Sequence, residues 1–171
     1  MFISSVLREA VKQLNDPELV IKELNRYMTL LQDGKDNNLY YFTAIYFIID
    51  TEQKTVEYIN AGHPPGYALI DEKTCIPLNQ GSCAVGFFDE MKVQKQCIQY
   101  EQDIQIVLFT DGVLEAMGPC EIESEKHLQT LTSTKWDYSQ CLIDNLLPKD
   151  KQENQPDDMC VLMIQASTTS I

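Results

Sequence analysis

Tyr41-Phe42-Thr43-Ala44-Ile45-Tyr46-Phe47-Ile48-Ile49-Asp50 is a run of aromatic and β-branched residues, and it marks the point where the chain changes period. Such residues suit a pleated, half-buried surface. Thr51-Glu52-Gln53-Lys54 reads as a hairpin-like turn, and Thr55 to Asn60 as the returning strand. Upstream the period is helical. Val6/Leu7, Ala10/Val11 and Leu14 recur at helix spacing from an abrupt start at Met1, so a helix entered midway is expected. Asn15-Asp16-Pro17 closes that helix and opens another, with Asp16 as N-cap and Pro17 in the first position. Leu19, Val20, Leu24, Tyr27, Met28 and Leu31 stripe one face of this second helix, which is expected to end near Asp33-Gly34 before a polar turn, Lys35 to Asn38.

Downstream, Gly66 to Ile70 and Cys75 to Leu78 read as short strands around a turn at Asp71 to Thr74. Met91 to Tyr100 alternates, and Ile104 to Phe109 has the pattern of a strand covered on both faces. Glu123 to Leu131 and Tyr138 to Leu147 are helical, Lys149 to Pro156 is a polar loop, and Met159 to Ile164 is a last buried strand. Helices, then mostly antiparallel strands, then helices and one strand predict an α+β fold in packed layers, not a Rossmann alternation. One domain is expected over 1–165, with 166–171 as a frayed tail.

The chain has 171 residues, enough for one substantial core, and a formal net charge of −13. A surface this acidic repels phosphate backbones and anionic lipid, which argues against nucleic acid and membrane partners. The six cysteines form no CxxC pair, and with two histidines they complete no zinc pattern. They are expected as reduced, mostly buried thiols in a cytoplasmic protein. No apolar run is long enough for a transmembrane helix.

Three features could carry chemistry. Phe109-Thr110-Asp111-Gly112-Val113 puts an acid at the mouth of a buried strand, followed by a glycine that keeps side chains away from a ligand. A turn aspartate is the competing reading, since Asp-Gly is common in turns. Pro156-Asp157-Asp158-Met159 places adjacent carboxylates before the last strand, where a cation, a lysine or a helix N-terminus would relieve their repulsion, the competing reading being a loop with both acids in water. Together the two strand-end acids make half of a site for a hard cation such as Mg²⁺ or Mn²⁺. Asn60-Ala61-Gly62-His63-Pro64-Pro65 offers His63 for acid/base work, or else is a loop stiffened by its prolines with His63 bonded to backbone. His127 sits in a polar helix and reads as surface.

In this order the pieces resemble the protein phosphatase 2C-like (PPM) family, in its sporulation and stress-response branch (SpoIIE/RsbU type). The resemblance rests on Phe42-Thr43-Ala44, Tyr46, Asp50, Tyr58 to Pro65, Val85-Gly86, Ile106 to Ala116 and Asp157-Asp158-Met159. It implies a layered β-sandwich flanked by helices, holding two Mn²⁺ or Mg²⁺ ions that activate the water attacking a phosphoserine or phosphothreonine. It implies Asp111 and Asp157 as metal ligands and catalytic residues, and Asp158, Gly112, Asn60 and His63 as their neighbours or as a substrate loop. The implied partner is a phosphorylated regulatory protein, an anti-anti-sigma factor of the STAS type.

The family also places an acidic D-x-x-G-H-G motif just before the segment that opens here, and these 171 residues contain no such motif. The expectation is therefore a domain lacking its first strands, binding at most one ion weakly and having little activity. Its uncovered sheet edge would favour a homodimer or strand exchange. The alternative is a non-catalytic pseudophosphatase that binds a phosphoprotein or partner through the same scaffold.

Overall fold

The hairpin expected at Tyr41 is present in the computed structural model, which describes residues 15–32, 40–118, 120–155 and 157–168. β1 (Ala44–Asp50) pairs antiparallel with β2 (Thr55–Ala61), from Ala44 opposite Ala61 to Asp50 opposite Thr55. The Asp50 carboxylate closes the turn by accepting the N–H groups of Glu52 and Gln53. Tyr41 to Thr43 stay outside β1, and Phe42 instead makes an isolated bridge to Val85. The described residues divide into two compact units, the first running up to His63 and including Gln80–Gln99, the second joining Pro64–Asn79 to the residues from Tyr100 onward.

In the first unit, helix α1 (Pro17–Gln32) begins as the sequence predicts: the Glu18 N–H donates to Asp16 Oδ1 at 2.9 Å. Val20, Ile21, Leu24 and Met28 form its buried face and pack with Ile59, Ala61 and Val85. Each such side chain contributes about 1.5–3 kcal/mol on burial. Leu19 and Leu31, expected on that stripe, are exposed, and Ile21 takes the inner position instead. The unit's sheet adds β5 (Gly81–Ser82), parallel to β2, and β6 (Gln96–Gln99), antiparallel to it. The alternation from Met91 therefore yields only a four-residue strand, because that is the length paired to Thr55–Tyr58. Exposed apolar surface remains at Tyr41, Phe87 and Phe88, whose rings meet edge to face.

In the second unit the sheet order is β4-β3-β7-β8. β3 (Gly66–Ile70), β4 (Thr74–Leu78), β7 (Asp103–Phe109) and β8 (Val161–Ser167) are all paired antiparallel. Four helices accompany them among the described residues: α2 (Asp111–Met117), α3 (Glu121–Thr132), α4 (Ser139–Leu146) and α5 (Lys149–Glu153). The expected polar loop at Lys149 thus contains a short helix. β8 extends to Ser167, opposite Asp103, so Ala166 and Ser167 belong to the sheet and not to a tail. The architecture is α+β, as expected. The core joins Val107, Phe109, Val113, Leu128, Leu142 and Leu146. β7 is buried along most of its length even at Gln105, whose side chain is satisfied by the Trp136 N–H, the Gln165 amide and the Thr134 carbonyl.

The thiol expectation is corrected. All six cysteines are free, Cys97, Cys120, Cys141 and Cys160 are exposed, and Cys75 and Cys83 are half-buried. They fall on edges, loop ends and outer helix faces, where a small apolar residue is tolerated without being enclosed. The helix expected over residues 1–14 and the turn at 33–39 lie outside the described residues. No helix among the described residues is long and apolar enough to cross a membrane.

Asp71, at φ 50 in the β3–β4 turn, accepts the N–H groups of Gln102, Glu101 and Asp103 and so ties that turn to the start of β7. The Gln102 N–H foremost, then those of Glu101 and Asp103, hold its carboxyl below the usual range. A depressed carboxylate adds stability that is present above the unfolded value near ~4 and lost as pH falls through the folded one. Asp71→Asn should therefore lower the urea midpoint at pH 7, and the gap to the parent should close on acidification. Urea titrations at both pH values check this.

Candidate metal centre

Asp111 is the first residue of α2, immediately after β7 delivers Phe109. Asp157 and Asp158 precede β8, the strand paired to β7, with Phe109 opposite Val161. Beyond that last pair the two chains remain joined. The Thr110 N–H donates to the Cys160 carbonyl at 3.0 Å. The Thr110 hydroxyl accepts the Cys160 N–H at 2.9 Å and donates to the Asp158 carbonyl at 3.0 Å.

Gly112 explains how close the approach is. A Cβ there would lie 2.6 Å from the Asp158 carbonyl oxygen and 3.3 Å from the Asp157 carbonyl carbon. Only glycine lets the acidic loop rest on the first turn of α2. The structure thus brings together Asp111, Gly112, Asp157 and Asp158, all in the second unit. Thr110 is the member that sequence reasoning did not single out. Its only signal was a hydroxyl between an apolar strand and an acid, and no spacing rule announces a partner at Asp158.

All three carboxylates are exposed. The Asp111 Oδ1 accepts the Gly112 N–H at 3.2 Å, and the Asp157 Oδ1 accepts the Asp158 N–H at 2.7 Å. Each acid keeps Oδ2 without a hydrogen bond to the described residues. No ion pair among those residues reaches any of the three. This donor set is hard oxygen, and it fits Mg²⁺ or Mn²⁺ as part of a coordination sphere. Among the described residues no group of three or more His, Cys, Asp or Glu is placed to hold a metal. The fit is that of a partial set.

Asn60 and His63 belong to the first unit. Asn60, only 5% exposed, accepts the His63 N–H at 2.8 Å and donates its amide to the His63 carbonyl at 2.9 Å. Gly62, at φ +74 and with no room for a Cβ beside the Ala84 backbone, completes the tight loop. Asn60 is thereby a loop clamp, and His63 is half-buried at its far side. His127 is exposed on α3, as the sequence indicates.

The chain belongs to the family described as Stage II sporulation protein E (SpoIIE), whose model matches residues 1–167. That family is one of protein serine/threonine phosphatases in sporulation and stress signalling. The chain is 26% identical over 166 residues to the phosphoserine phosphatase RsbP of Bacillus subtilis, covering 96% of this chain and 40% of that protein. It therefore spans well under half the length of that curated relative. Among solved structures, the manganese-presoaked phosphatase domain of SpoIIE from Bacillus subtilis superposes with a TM-score of 0.63 at 16% identity, covering 98% of this chain and 73% of that one. The catalytic domain of the serine/threonine phosphatase PstP, in complex with two manganese ions, gives a TM-score of 0.61 at 13% identity, over 96% and 80% of the respective chains. At these identities the structural likeness shows the fold.

Gly112→Ala should push the acidic loop off α2 and destabilise the fold by about 1–3 kcal/mol. Denaturant unfolding measures the loss, and a stability equal to the parent's would contradict the contact.

Proposed function

We propose that this chain is part of a metal-dependent phosphoserine/phosphothreonine protein phosphatase, with Asp111 and Asp157 as ligands for Mn²⁺ or Mg²⁺. The carrying observation is the pair of apposed acidic turns clasped through Thr110 and Gly112 beyond the last β7–β8 pair. Divalent ions there would supply an activated water and neutralise phosphoryl oxygens. Asp111 and Asp157 would hold the cation, while their Oδ1 atoms, fixed on backbone N–H groups, set the direction of each carboxylate. Asp158 contributes its carbonyl to the clasp and is read as a structural neighbour of the two ligands. Asn60 and His63 serve as a shaped loop.

The same cations would reconcile a chain of net charge −13 with an anionic substrate, because they invert the local field. The substrate we propose is a phosphoserine on a small regulatory protein of the anti-anti-sigma, STAS-type class, a reading supported by the similarity to a phosphoserine phosphatase. Six free thiols suit a reducing compartment, and the cytoplasm is the proposed location. These 171 residues bring two of the carboxylates that a two-ion centre needs, so the chain alone should turn over slowly.

The test is Mn²⁺-dependent release of phosphate from a phosphoserine protein, by this chain and by a version extended upstream to a D-x-x-G-H-G motif. The extended version should be at least tenfold faster, and Asp111→Asn in it should lower the rate by ~10²-fold or more. Equal rates for both chains would refute the need for a further ligand. Undiminished turnover by Asp111→Asn would refute the ligand role and favour a scaffold that only binds phosphoprotein.

A further inference from the structure

Helix α2 is short, carries an acid in its first turn and has no basic residue in its last. Its C-terminal carbonyls are met from elsewhere. Lys151 Nζ, on α5, donates to the Ala116 carbonyl at 2.7 Å and to the Met117 carbonyl at 3.3 Å. An ammonium at that end satisfies carbonyls the helix cannot pair itself and complements its dipole. α5 is anchored in turn, because the Gln152 amide donates to the Leu147 carbonyl at the end of α4.

The same stretch of chain meets the other end of α2. Asp157 and Asp158 lie against Gly112, and Cys160 pairs with Thr110. The described residues between Pro148 and Cys160 thus run along α2 in the reverse direction, with Lys151 at residues 116–117 and Asp158 at residues 110–112. A seven-residue helix is roughly 10 Å long at 1.5 Å per residue, so fixing both ends leaves the intervening chain little freedom to slide.

We infer that Thr110 and Lys151 are positioning residues, which hold Asp157 against Asp111 by fastening the 148–160 segment to both ends of α2. This rests on the reading of the two acids as metal ligands. Thr110 sets the height of the acidic loop through two bonds of one hydroxyl. Lys151 acts at a distance, since a slip of α5 along α2 would break both of its bonds and drag Asp157 with it. Neither side chain meets the metal. Their effect is to have the two carboxylates apposed before a cation arrives, so that binding does not have to order the loop.

The experiment titrates the full chain with Mn²⁺, read by water-proton relaxation, beside thermal melts of the same samples. Thr110→Val and Lys151→Met should each weaken Mn²⁺ binding by about tenfold, the usual scale for groups that orient ligands. Thr110→Ser, which keeps the hydroxyl, should bind like the parent. The double variant should lose less than the two single losses combined, because both act through one segment. A role confined to helix capping would lower the melting temperature of Lys151→Met while leaving Mn²⁺ affinity of the folded protein unchanged, and that result overturns the inference. If Asp111→Asn abolishes binding but Thr110→Val and Lys151→Met do not weaken it, positioning fails and the ligand reading stands. If Asp111→Asn binds Mn²⁺ as the parent does, or the parent binds none at millimolar metal, both fail.

Discussion

β7 and β8 are joined from Asp103 opposite Ser167 to Phe109 opposite Val161, and the acids sit just beyond the end of that ladder. A slip of one residue would turn every side chain on a strand to the other face. Ile104, Gln105, Ile106, Val107, Leu108 and Phe109 are each at most 6% exposed, so both faces of β7 are covered and a slip would exchange the residues packed on one face for those packed on the other. Burial therefore sets the register, and the register sets which residues leave the sheet side by side. Thr110 and Cys160 carry the pairing one step further, after which the chains diverge into α2 and the acidic turn.

Charge follows a similar logic. The chain is strongly acidic, and several cations among the described residues are already engaged. Lys135 bonds Asp103 and Glu72, which raise its pKa, Lys95 bonds Glu57, and Lys151 is held by helix carbonyls. No basic side chain among the described residues pairs with Asp111, Asp157 or Asp158. Carboxylates left to solvent in this way are open to a hard cation from solution. The lysines instead serve the frame that holds the acids.

Much of the frame was legible in the sequence. The β1–β2 hairpin, the capped start of α1, the β3–β4 turn and the buried strand at Ile104 follow from periodicity and turn residues, and each is present. What escaped has identifiable causes. α2 was hidden because Asp and Gly at its start are poor helix formers that read as a turn, and its stability comes from packing Val113 and Ala116. α5 is short and polar, with no apolar stripe to reveal it. β5 and the Phe42–Val85 bridge are non-local pairings that no local pattern encodes. Four of the thiols are exposed against expectation because a cysteine's chemistry does not say which face of an element it occupies. At the site, Asp111 and Asp157 were legible as strand-end acids, whereas the Thr110 clasp and the lysine of α5 depend on a register that only the folded chain displays.

The most direct measurement is a crystal of the chain soaked in manganese, with the metal located by its anomalous scattering. The account predicts a peak bound jointly by the Asp111 and Asp157 carboxylates, at about 2.0–2.2 Å from an oxygen of each, as for a small hard cation. Manganese at one of these acids alone, or at other residues altogether, would contradict it.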